Sequence, residues 1–173
     1  MIDRVDADNV GMLGTAINAL LLRAAIATRS DRDVRVMSAL PMTSVAEPYI
    51  RLRAVRHLEK RRIVIMACGI GQPFVTTDYP SVQRAIEVSA EVLLAAKNGV
   101  DGVDDADPSL EPTARRFDEI SYDEVIKREL RVMDPAAFIL ARDHGLPICV
   151  FDSAEAGAMA SIVQGGRVGT FIR

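Results

Sequence analysis

The apolar run "RRIVIMA", ending at Ala67, is followed without a break by "CGIGQPFVTTD", Cys68 to Asp78. An apolar run opening on three β-branched residues, Ile63 to Ile65, reads as a strand buried on both faces, the kind found in parallel sheets covered by helices. Two glycines, a proline, two threonines and an aspartate cannot continue such a strand. The loop therefore sits at the carboxyl end of a buried strand, where α/β proteins gather their ligands.

The rest of the chain repeats this grammar. "DADNVGMLGTAINALLLRAAIATRS" places apolar residues at helical spacing after an acidic start and reads as a long, largely buried helix. "VRVMSAL", "VLLAAK", "LPICVFD" and "RVGTFI" read as further strands, and "EPYIRLRAVRHLEK", "PSVQRAIEVSAE", "SYDEVIKREL", "DPAAFILARDHG" and "GAMASIVQ" as helices. Ser121 and Asp134 stand at N-cap positions, the first with Glu124 in capping-box register and the second before Pro135. The order gives about five strands with helices between them, an α/β chain with a mainly parallel sheet.

Composition narrows the partners. The 173 residues are enough for one domain with a real core, and 49% hydrophobic content excludes a mainly disordered chain. A net charge of −3 without a long basic run argues against nucleic acid or an anionic membrane as a partner. Arginine interrupts the apolar runs and the first residues lack a basic-then-apolar signal pattern, so a cytoplasmic location is expected. Cys68 and Cys149 lie in apolar, strand-like settings and read as reduced core thiols; with no CxxC pair and no Cys/His cluster, no metal site is expected. His57 and His144 read as surface or capping residues, and no GxSxG elbow is present.

Taken residue by residue, several features admit two readings. The loop from Gly69 to Asp78 is either a ligand loop or a plain connection in which Asp78 caps the next helix. Asp8 either caps the first helix or contacts a ligand there. Asp101, Asp104, Asp105 and Asp107 form either a solvated acidic turn or a carboxylate cluster near a magnesium nucleotide.

Together, "DRVDADNVGMLGTAIN", "MSALPM", "AEPYI" with "RHLEKRRIVI", "GIGQPFVTTD", "GVDGVDDADP" and "RVMDPAAFILARDHGLPICVF" resemble, in order and spacing, the bacterial uridylate (UMP) kinases of the amino acid kinase superfamily. The resemblance implies a single three-layer αβα domain over residues 1–173, mainly parallel, that transfers a phosphoryl group from ATP to UMP with Mg2+ and assembles as a homo-oligomer, a hexamer in the family. It implies that Asp8 and the loop residues Ile70, Gly71, Gln72, Pro73, Phe74, Val75, Thr76 and Thr77 bind UMP, and that Asp78 is catalytic by orienting lysines. It places Lys97, Asn98, Asp104 and Asp107 on the ATP side, with Asp104 standing where the family commonly has an aromatic ring against adenine. The family's "KLSGE"-type lysine and "GGGN" loop precede the matched region and have no counterpart here. A second reading follows from that: a non-catalytic nucleotide-binding or assembly subunit derived from such a kinase, or one that packs with a full-length kinase.

Overall fold

The computed structural model describes residues 2–106, 111, 113–130 and 132–173. The chain divides into two compact units, Met1–Pro80 and Ser81–Arg173.

The first unit is built on a parallel sheet of order β2-β1-β3, with β1 Val34–Ser38, β2 Glu47–Pro48 and β3 Ile63–Ala67. Helix α1 spans Arg4–Ala27 and is started by Asp3, whose carboxylate accepts the Val5 amide at 2.9 Å. Its Ala16 and Ala19 pack with Val36, Ala67 and Cys68. Met37, one residue out of phase with Val36, is buried on the alternate side of the pleat. Helix α2, Arg51–Glu59, connects β2 to β3 and packs on β3.

Two expectations fail in this unit. The first helix is not largely buried: Val10, Leu13, Ile17 and Leu21 are all exposed, although the helix is apolar enough and, at 24 residues, long enough to cross a membrane. Apolar residues occupy most of its circumference, while the sheet covers only the side carrying Ala16 and Ala19. His57 is not a surface residue either. It is 9% exposed, with Nε2 at 3.1 Å from Glu47 Oε2 and Nδ1 at 3.0 Å from Arg62 Nη1. A neutral ring protonated on Nε2 satisfies both contacts, donating to Glu47 and accepting from Arg62.

The second unit holds a sheet of order β4-β6-β7-β5, with β4 Leu93–Lys97, β5 Glu119–Ile120, β6 Ile148–Asp152 and β7 Thr170–Ile172. The β4/β6 and β5/β7 pairs are parallel and β6/β7 is antiparallel. Helix α3, Asp78–Glu87, leads into this unit and buries Val82 and Ala85 in its core. Helix α4, Tyr122–Lys127, starts on Ser121, and α5, Pro135–Asp143, starts on Asp134, whose carboxylate accepts the Ala136 amide at 2.9 Å. His144 caps the end of α5, as expected. Phe138, Val125, Ile148, Val150 and Ile172 form the main core beneath these helices, and α6, Ala158–Val163, covers Cys149 and Phe151 in a smaller cluster.

Helices flanking sheets that are parallel but for one pair give the α/β class expected from the sequence. The two-residue strands β2 and β5 were not legible, because two residues carry no period.

Candidate functional site

Backbone geometry singles out the turn that follows β3. Cys68, Gly69, Gly71 and Phe74 have φ of 65, 55, 74 and 65°, four left-handed residues within seven positions. Glycine takes such angles freely, whereas cysteine and phenylalanine do so only when their surroundings hold them.

The surroundings of Cys68 are visible. Its amide donates to Thr15 Oγ1 at 2.9 Å, and Thr15 in turn donates to the Met12 carbonyl at 2.7 Å. The thiol lies 3.3 Å from that same carbonyl and 3.4 Å from Ser38 Oγ. Phe74 is held from the other end of the loop, its amide donating to Asp8 Oδ2 at 2.8 Å. Asp8 also accepts from Arg4 Nε at 2.9 and 3.0 Å, one contact to each carboxylate oxygen. The Phe74 amide, followed by Arg4, keeps the Asp8 carboxyl below its ordinary value of 3.8.

These contacts frame a cleft of about 330 Å³ between α1 and the loop. Asp8, Ile70, Gln72, Val75, Thr76 and Thr77 line it together. Six of the nine residues expected to contact one ligand thus converge on one cavity. Gly71, Pro73 and Phe74 shape the loop without lining the cleft; Gly71 closes its first turn by donating to the Cys68 carbonyl at 2.8 Å. Asp78 opens α3 immediately beyond the loop and is not part of the lining. Asp8 lies in the second turn of α1, so the capping alternative does not hold: Asp3 caps the helix.

Arg4, Met12 and Thr15 also line the cleft and were not anticipated. The signal was present, since Arg4, Asp8, Gly11 and Thr15 share one side of a helix at spacings of four, three and four.

In the second unit, Lys97 ends β4 and Asn98 begins the following turn. The Gly99 amide donates to Asp152 Oδ1 at 3.1 Å and the Ser153 amide to the Lys97 carbonyl at 2.6 Å, which ties the ends of β4 and β6 together. Within the acidic turn, Asp101 pairs with Arg116 at 3.0 Å and Asp105 accepts the Arg115 amide at 2.8 Å. Asp104 forms an isolated bridge with Arg116, and burial, then the charge of Asp101, raises its carboxyl. Asp107 lies outside the described residues. Among the described residues no three carboxylate, histidine or cysteine side chains gather as a metal site.

Glycine-shaped loops at strand ends, polar atoms converging on an open cleft and helices against mainly parallel sheets define a small-ligand-binding α/β protein. The amino acid kinase family model matches residues 1–152. The uridylate kinase of Frankia alni is 61% identical over 171 residues, covering 99% of this chain and 67% of that protein. The crystal structure of UMP kinase from Bacillus anthracis superposes with a TM-score of 0.95 at 52% identity, covering 99% of this chain and 70% of that one. The UMP kinase structure from Ureaplasma parvum gives 0.92 at 30% identity, with 99% and 72% covered. The chain belongs to the amino acid kinase family and, within it, to the uridylate kinases. It spans about two thirds of the length of the curated relatives it matches.

Proposed function

We propose that the α1/loop cleft receives the ribose and base of UMP, and that the chain serves phosphoryl transfer from ATP to UMP, giving UDP, in pyrimidine nucleotide synthesis in the cytoplasm. The observation that carries this reading is the convergence of Asp8, Gln72, Thr76 and Thr77 on one cavity. A carboxylate held ionised accepts hydrogen bonds from ribose hydroxyls, and threonine hydroxyls and a glutamine amide complement the donor and acceptor edge of a pyrimidine. The cavity volume suits a nucleoside.

Asp78, at the start of α3, is assigned the lysine-orienting role by family resemblance. Lys97, Asn98, Asp104 and Asp107 are assigned to ATP on the same ground. With Asp104 in place of an aromatic ring, adenine loses a stacking partner worth about 1–3 kcal/mol. Magnesium is expected to enter with the nucleotide phosphates, as it usually does. Asp101 and Asp105 are engaged with Arg116 and Arg115, so the described residues do not fit a dedicated magnesium cage.

The exposed stripe Val10, Leu13, Ile17 and Leu21 supports a homo-oligomer, the four residues recurring at spacings of three and four along one side of α1. A second reading, a non-catalytic nucleotide-binding or assembly subunit that packs with a full-length kinase, is favoured by one feature. All five residues of β3 are apolar, yet among the described residues β3 has a single neighbour in its sheet. A coupled assay of UDP formation from ATP and UMP separates the two. Turnover well above background supports the kinase; nucleotide binding without turnover supports the binding subunit.

A further inference from the structure

We propose that Arg4 is a positioning residue for the nucleoside cleft, acting through Asp8 and Phe74 to hold the loop after β3 against α1. What the cleft holds rests on the uridine reading above; the clasp itself rests on geometry.

Phe74 cannot adopt a φ of 65° at no cost, and the residue is 68% exposed, so burial does not hold it there. Two contacts do. Its amide donates to Asp8 Oδ2, and the Arg4 guanidinium carbon lies 6.0 Å from the centre of its ring. Both contacts converge on the first two turns of α1, because Arg4 and Asp8 are one helical turn apart and joined at 2.9 Å.

The pair is poorly placed for the helix's own sake. Arg4 is the first helical residue, where the positive end of the dipole repels a cation, and an arginine four residues before an acid is the weaker order for an ion pair. The arrangement makes sense for the loop instead. Arg4 reaches both Asp8 oxygens with one N–H, fixing the carboxylate's rotamer, and it adds to the Phe74 amide in keeping the carboxyl below its ordinary range. A carboxylate offers about four acceptor positions. The contacts from Arg4 and the Phe74 amide therefore leave capacity for a ligand hydroxyl. A lysine would supply the charge but not the planar guanidinium surface over the ring.

The test compares the wild-type chain with Arg4→Met and Arg4→Lys. Amide exchange at Phe74 is followed by NMR, and uridine affinity by calorimetry. Arg4 is largely exposed, so both variants are expected to fold. In Arg4→Met, exchange at Phe74 should accelerate at least about tenfold and uridine should bind roughly tenfold more weakly. Arg4→Lys should fall between Arg4→Met and wild type in both measurements. Unchanged exchange in Arg4→Met overturns the clasp. Faster exchange with unchanged uridine affinity overturns the positioning role and leaves a purely structural contact. Faster exchange in a protein whose wild type binds no uridine overturns the nucleoside reading, and the positioning role with it, while the clasp stands.

Discussion

Asp8 and Phe74, 66 residues apart, meet at 2.8 Å: a helix carboxylate accepts the amide of a phenylalanine held in the left-handed region. The candidate cleft depends on this contact, since Asp8 is at once a wall of the cavity and the anchor of the loop that closes it. Asp8→Asn keeps the shape, loses the charge and leaves a weaker acceptor. Uridine affinity should fall about tenfold or more, measured by calorimetry.

The same contact sets a pH dependence. The Phe74 amide and Arg4 lower the Asp8 carboxyl below its ordinary 3.8, so the ionised form is favoured in the folded chain. A depressed carboxyl contributes stability that is fully present above the unfolded-state value and is lost as pH falls through the folded one. The Phe74 amide should therefore keep its protection from about pH 7 down to about pH 5. It should lose protection only below the ordinary carboxylate value, as read by exchange corrected for intrinsic rates.

Burial raises the Cys149 thiol to about 11, and Cys68 is 1% exposed against the start of the loop. Neither thiol is expected to react with maleimide at neutral pH in the folded chain, and both should react in denaturant. Mass spectrometry of the labelled protein distinguishes the two states.

Gly169 has φ 77°, and a Cβ built there would lie 2.1 Å from the Val150 carbonyl oxygen. Gly169→Ala should destabilise the second unit by about 2 kcal/mol or more, through both the left-handed strain and the displacement of β6. Phe138→Ala, at a core position 2% exposed, should cost about 3–5 kcal/mol by opening a cavity. Urea titration measures both.

The stripe on α1 predicts association. Ile17→Asp places a charge at an exposed apolar position in the middle of the stripe, where it leaves the Ala16 and Ala19 core contact untouched. Sedimentation should show the wild-type chain as an oligomer and the variant shifted towards the monomer.

The sequence made the long elements legible because each carries a period or a cap. β3 showed itself by an unbroken apolar run, and Ser121 and Asp134 by the side chains that the structure finds accepting helix amides. The loop from Ile70 to Thr77 was visible as a composition that no regular element tolerates. What stayed hidden depends on contacts distant in sequence. Nothing local marks Phe74 as left-handed, since the cause is a carboxylate on α1. Nor does anything local bury His57, whose partner Glu47 reaches it from β2. The exposure of α1 was misread for the same reason: apolar content tells that a helix seeks cover, and only the packing tells how much of it the chain itself provides.

The most direct check on the cleft is an NMR titration of the isotope-labelled chain with uridine. If uridine occupies the cleft, saturable shifts are expected at the amides of Asp8, Gln72 and Phe74 through Thr77, abolished in Asp8→Ala. An absence of shifts at millimolar uridine, or shifts confined to residues away from α1 and the loop after β3, would contradict it.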